Sequence, residues 1–305
     1  MHPVPTVTSN DARLEAAVSE WLGDSRMRLP PGFRIRLNVV DQVAVWEDSR
    51  EVFKQGDVDV RAGEPLGWVH LVWHAAPARG RIDEHRAEAE IEVSREALEH
   101  IDYFLRSFFL LTLIFLWKRV GRYHVHAATA IDPQGRGWML IGDSCSGKST
   151  TTALLASRGW QVSTDDIAFL APGGDRARVV GFRSPIALRS GGYELIGRGG
   201  GIDMTRRGKH GFWPEDLGAT WVDEVAPDIV VFTSIGGEQT TLKPLPALQA
   251  ITPLMQRSPW VLFEPTGSQE HLDLLARLTR QARCYTATLA PDLFSAPGAL
   301  GDFLP

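Results

Sequence analysis

The sequence predicts an α/β fold with a β-rich N-terminal part, on three observations. Apolar residues alternate with polar ones in the first ninety or so positions. Strand-like and helix-like stretches then take turns from about residue 125 onward. A glycine-rich turn joins one such strand to one such helix, as in parallel-sheet proteins.

Ala12 to Leu22 carries helical spacing in Leu14, Val18 and Leu22. From Gly32 the period becomes two. Phe33, Ile35, Leu37 and Val39 alternate with Arg34, Arg36 and Asn38, the pattern of a half-buried strand. Trp68–Trp73 and Glu88–Val93 repeat it, so residues 1–94 read as an antiparallel, β-rich domain, a candidate for acceptor recognition. Its tryptophans Trp46, Trp68 and Trp73 suit either a peptide groove or a core.

After Ser94 the period is helical again. Leu98, Ile101, Leu105, Phe108 and Phe109 share one face, and Gly121 fits a C-terminal stop. This helix is expected to open a second domain, 95–305. Within it, Val125–Ile131 and Trp138–Ile141 read as strands and Lys148–Ser157 as a helix ended by Gly159. Gln161–Thr164 and Ile229–Phe232 read as strands, Ala247–Gln256 and His271–Ala282 as helices, and Tyr285–Leu289 as a closing strand. Gly191 to Gly211, rich in glycine and arginine, reads as a long loop, of a kind that is uncommon in compact domains unless functional or disordered.

Hydrophobic residues make up 44% and charged residues 23% of the chain, which allows a sizeable core. The net charge of −5 argues against nucleic acid as a partner. Two cysteines, Cys145 and Cys284, are too few for a disulfide framework or a cysteine-only zinc site. The N-terminus lacks a basic start followed by an apolar run. The most apolar stretch, Phe108 to Trp117, is about half the length of a membrane span. A cytoplasmic protein without a membrane span is expected.

The segment Gly142-Asp143-Ser144-Cys145-Ser146-Gly147-Lys148-Ser149 matches G-x-x-x-x-G-K-[ST] at every specified position. It follows an apolar strand and opens a helix, the setting that a phosphate-binding P-loop requires. Glycines let backbone N–H groups turn toward phosphate oxygens, and the helix adds its positive end. Lys148 suits the β- and γ-phosphates and Ser149 a magnesium ion, with Thr150 completing the ATP-contacting set. Asp165 and Asp166, straight after a strand, suit metal binding and general-base work, with Asp165 and Ser149 as the expected metal ligands. His124 and His126 stand near the start of the strand before the loop; a zinc reading of them is poor. Arg198, Arg206, Arg207 and Lys209 make a candidate lid over phosphates or a substrate contact, a solvated basic loop being the plain alternative. Cys145, inside the loop, is expected to be sensitive to thiol reagents.

Together, His-x-His-Ala-Ala, the Gly142–Ser149 loop, Arg158-Gly159 and Asp165-Asp166 resemble the core of the HPr kinase/phosphorylase family. The resemblance is close over about forty residues and general over roughly 95–300. It implies a P-loop kinase core of the HPr kinase/phosphoenolpyruvate carboxykinase type. It also implies ATP and Mg²⁺ as cofactors, a serine hydroxyl of a peptide, protein or small molecule as acceptor, and His126 close to the transferred phosphoryl group. It implies homo-oligomeric assembly as well, for which the apolar helix near Phe108 is a candidate interface. Three departures set the chain apart. Thr150 stands where HPr kinases have Glu, and their later E-I-R-G-L-G-I-I-D motif survives only as an echo around Glu194, Arg198 and Asp203. The N-terminal part is also unlike theirs. The pattern is nearer to HPr-kinase-related proteins that phosphorylate peptides. A nucleotide switch without an acceptor is the second reading.

Overall fold

The computed structural model describes residues 5–43, 49–63, 68–196, 201–204, 208–263 and 267–295. The fold is mixed α/β, in two compact units: Met1–Arg122 with Leu262–Ser268, and Tyr123–Val261 with Gln269–Pro305.

The first unit is built on a seven-stranded sheet. Its strands are β1 (Thr6–Ser9), β2 (Arg34–Val40), β3 (Arg50–Gln55), β4 (Val58–Ala62), β5 (Trp68–Trp73), β6 (Ala78–Asp83) and β7 (Glu88–Ser94). They lie in the order β1-β2-β7-β6-β5-β4-β3. From β3 to β7 the sheet is an antiparallel meander, as the alternation predicts. At the other edge the antiparallel expectation fails, because β1, β2 and β7 pair in parallel. A parallel neighbour needs a crossover, and helix α1 (Ala12–Ser25) supplies it between β1 and β2. Asp11 caps α1 by accepting from the Leu14 N–H at 3.0 Å.

Helical turns fill Arg95 to Val120, with a five-residue π segment, Leu105–Phe109, before α2 (Leu110–Trp117). This segment belongs to the first unit, which runs to Arg122 rather than ending near residue 94. The reason is aromatic packing. Phe104 lies 5.7 Å from Trp73 between ring centroids and stacks on Phe108 at 5.5 Å. A Cβ on Gly80 of β6 would come 3.1 Å from the Phe108 ring. Phe108 and every residue of α2 are buried. Trp73 is likewise core, Trp68 faces the Arg81 guanidinium at 4.2 Å, and Trp46 lies outside the described residues.

The second unit carries β8 (Tyr123–Ile131), β9 (Gly137–Ile141), β10 (Gln161–Thr164), β11 (Ile167–Gly173), β12 (Arg176–Gly181) and β13 (Ile186–Leu188). It continues with β14 (Ile202–Met204), β15 (Lys209–Phe212), β16 (Glu224–Val225), β17 (Pro227–Ile235), β18 (Thr241–Pro244) and β19 (Arg283–Leu289). The main sheet runs β16-β12-β11-β8-β9-β17-β19-β18, with β10 paired to β8. Only β9, β17 and β19 are parallel neighbours in it.

Both faces of this sheet are buried, which is why β9 and the middle of β17 are apolar at consecutive positions. Trp138, Leu140, Ile229 and Val231 pack with Leu154 and Leu155 of α3 (Lys148–Ala156). Met139, Ile141 and Val230 pack on the opposite face, with residues of two further helices. The segment expected to be a long loop contains α4 (Ser190–Ile196) and the β14–β15 pair, which joins β13 in a small third sheet. The other two helices are α5 (Ala247–Gln256) and α6 (Ser268–Gln281). Among the described residues, no helix is long and apolar enough to cross a membrane.

Candidate active site

The site lies at the carboxyl end of β9, where the chain turns through Gly142–Gly147 into α3. Glycine is required at Gly142, since a Cβ there would stand 2.3 Å from Ser146 Oγ and 2.6 Å from the Thr233 carbonyl. Gly147 adopts φ 92°, a left-handed conformation that glycine accepts readily. Ser146 Oγ and Thr233 Oγ1, 3.0 Å apart, tie the turn to β17. Within the turn the Ser146 N–H donates to the Asp143 carbonyl at 3.2 Å, and α3 begins directly after Gly147, so its first N–H groups lie at the turn.

Lys148 is 5% exposed, and its ammonium donates to the Gly142 and Asp143 carbonyls at 2.9 and 3.0 Å. Burial lowers its pKa, against the opposing pull of Asp166 and Asp165. Asp143 is paired with Arg257, Oδ2 to guanidinium at 2.6 Å. Arg257 follows α5, and its carbonyl accepts from the His126 N–H at 2.9 Å. Its neighbour Ser258, fully buried, donates to the His124 carbonyl at 2.5 Å and lies 2.7 Å from His271 Nε2. This interior polar chain fixes the segment that delivers Arg257 to the glycine-rich turn.

Asp165 and Asp166 sit between β10 and β11. Strand register brings them to the turn: Ala127 of β8 pairs with Ile141, and His126 with Ile167. His126 Nδ1 lies 2.8 Å from Asp166 Oδ1, and both side chains are partly exposed in the cleft. Asp165 is 3% exposed. Its Oδ2 accepts from the Ala187 N–H at 3.3 Å, while Oδ1 is buried without a hydrogen-bond partner.

The two carboxylates titrate apart. Burial, then the negative charge of Asp166, raises Asp165 to about 6, with the Ser149 hydroxyl and the Ala187 N–H working the other way. For Asp166 the burial penalty is outweighed by the hydrogen bond and charge of His126 and the charges of Lys148 and Lys209. It is held well below the usual carboxylate range. His124 differs from its neighbour. It is buried, accepts from the Trp260 indole N–H at 3.1 Å, and is lowered to about 3, first by burial and then by the nearby His126.

A cleft of about 380 Å³ joins His126, Ser144, Cys145, Lys148, Ser149 and Asp166 with Arg189 and Lys209. Lys209, a candidate lid or substrate residue, lines this cleft. Arg198, Arg206 and Arg207 lie outside the described residues. Cys145 is exposed at φ 64°, with its thiol pKa lowered by a hydrogen bond from Ser144 and by the charges of Arg189 and Lys209. Arg189 and Arg257 escape sequence reasoning. Arg189 immediately precedes α4, near a glycine-rich stretch that draws attention elsewhere, and Arg257 carries no motif at all.

The donor set suits a hard cation. Asp165 offers an unpartnered buried oxygen beside the Ser149 hydroxyl, and oxygen donors are what Mg²⁺ prefers. Among the described residues there is no cluster of three or more His, Cys, Asp or Glu that could hold a metal by itself. Magnesium commonly uses few protein ligands together with phosphate oxygens and water.

No family model matches the chain, and no curated protein matches it. Among solved structures, the HPr(Ser) kinase/phosphatase from Coxiella burnetii aligns over 41% of this chain and 73% of its own, at 16% identity and a TM-score of 0.28. A likeness of that size assigns neither family nor activity.

Proposed function

We propose that this chain is a phosphotransferase that moves the γ-phosphoryl group of ATP to a hydroxyl, with a serine of a peptide, protein or small molecule as the acceptor. The observation that carries the reading is the Asp166–His126 pair, facing Lys148 and Ser149 across one cleft. A site that only held nucleotide would need the cradle and its lysine, but no carboxylate oriented beside them.

The roles divide by burial. Turn amides and Lys148 hold the β- and γ-phosphates, Lys148 exchanging its carbonyl partners for phosphate oxygens. Ser149 and Asp165 would hold Mg²⁺, which supplies charge neutralisation between the phosphates. Asp166, more open than Asp165, faces the acceptor hydroxyl, while His126 fixes its orientation. The hydroxyl oxygen bonds to the γ-phosphorus as the bond to the β,γ-bridging oxygen breaks. ADP leaves and the hydroxyl proton passes to Asp166. A carboxylate held so far below neutrality is a weak base, so its contribution lies mainly in placing the hydroxyl in line. Arg189 and Lys209, which line the cleft, flank the transferred charge.

The test is transfer of γ-labelled phosphate from ATP with Mg²⁺ to serine peptides, a carrier protein of the HPr type and small alcohols, with Lys148→Ala as the blank. Label in an acceptor, absent from the blank, is expected. Tight ATP binding with no labelled acceptor would replace this reading by a nucleotide switch.

A further inference from the structure

A second hollow adjoins the glycine-rich turn on the other side of α3. It has a volume of about 310 Å³, and Gly147, Thr150 and Thr151 form one wall. Lys148 and Ser149 face the charged cleft instead. Residues three and four apart share a helix face, so the first turn of α3 separates the two spaces. Ile235, Leu289, Pro291 and Leu293 form the far wall. Ile235 ends β17 with 65% of its surface exposed, an uncovered apolar side chain beside an apolar hollow. The wall meets the turn closely, since a Cβ on Gly147 would come 2.9 Å from Leu289 Cδ1.

The polar backbone of the far wall is already engaged. The Leu289 carbonyl accepts from the Gly236 N–H at 3.1 Å, and the Ala290 N–H donates to Thr240 Oγ1 at 3.1 Å. The Ala290 carbonyl accepts from the Leu293 N–H at 3.2 Å, and Pro291 has no N–H to offer. The hollow can therefore grip a flat apolar ring but offers little to read its edge.

The geometry points to this hollow as the seat of the nucleoside triphosphate's base, held by shape and dispersion without regard to which base it is. The inference rests on the reading of Gly142–Ser149 as a phosphate cradle. Phosphates lying along that cradle leave the charged cleft across the first turn of α3, and the nucleoside then meets Thr150, Thr151 and the apolar wall. Discrimination between bases requires donors and acceptors placed against their edges. Here the far wall's backbone groups are spent, and the Thr150 and Thr151 hydroxyls can each donate or accept, so purines and pyrimidines are accepted alike.

Calorimetric binding of ATP, GTP, CTP and inorganic tripolyphosphate to the full chain and to Ile235→Asp tests this. The position is exposed, so the variant folds. ATP, GTP and CTP are expected to bind within about tenfold of one another, and ATP about tenfold or more tighter than tripolyphosphate. Ile235→Asp should erase most of that ATP advantage and leave tripolyphosphate unchanged. ATP preferred over GTP by about a hundredfold or more would overturn the base-blind seat. Tripolyphosphate binding as tightly as ATP, or equal losses for both in the variant, would overturn the seat itself while leaving the phosphate cradle standing. Failure of both ligands to bind the unaltered chain would overturn the cradle reading along with it.

Discussion

Two adjacent aspartates, chemically identical in the sequence, are placed in opposite electrostatic surroundings by the fold. Asp165 is buried against a like charge, and Asp166 is paired with a histidine. The pair was legible from its position after a strand and beside a P-loop motif. The contrast in their surroundings was not, because it depends on His126 arriving from another strand and on the Ala187 amide. Asp166→Asn is expected to lower kcat by roughly 10²–10⁴ while leaving the KM for ATP within about threefold. Asp165→Asn should instead raise the Mg²⁺ concentration needed for half-maximal turnover. Steady-state kinetics over a Mg²⁺ titration check both, and normal turnover in both variants would remove the carboxylates from the mechanism. Arg257 shows the opposite limit of sequence reading. It reaches Asp143 only because α5 and the Ser258–His124 hydrogen bond bring its segment there.

Most elements with a clean period could be read in advance. α1, β2, β5, β7, β9, α3 and α5 fall where alternation or helical spacing puts them. β3, β4, β6 and β12 escape sequence reasoning because charges interrupt their apolar positions, such as Arg79, which pairs with Glu92. The helical run after Ser94 was recognised, but its membership was not, because packing on Trp73 and Gly80 decides that.

The end of the same run supplies a pH prediction. Lys118 follows α2 and pairs inside the first unit with Glu84, from the β6–β7 turn, at 3.4 Å. Burial raises Glu84 to about 7, the Lys118 charge offsetting only part of the penalty. Its ordinary value of 4.5 applies to the unfolded chain, so the folded state holds the extra proton between those values. The stability that Glu84 contributes is therefore complete below about 4.5 and lost as pH rises through about 7. Urea unfolding of Glu84→Gln and the unaltered chain at pH 5 and pH 8 reads this. The stability difference should move in the variant's favour by about 1–3 kcal/mol between the two pH values. No change in that difference would refute the buried, proton-linked carboxylate.

At the scale of the whole chain, the α/β class was legible because strands and helices alternate around the turn at Gly142. Strand order was not, since pairing partners such as β9 and β17 are far apart in sequence and carry no mark of each other. The same property separates the two halves of the first sheet. The meander from β3 to β7 closes through neighbouring strands, whereas Arg36 of β2 meets Glu90 of β7 across 54 residues. Contacts between distant residues require costly loop closure, so they form late. The first unit is thus expected to fold from its middle outward. In pulse-labelled hydrogen exchange, amides of β4 to β6 should gain protection before those of β1 and β2. The outermost parallel strand, β1, would be among the last to find its place.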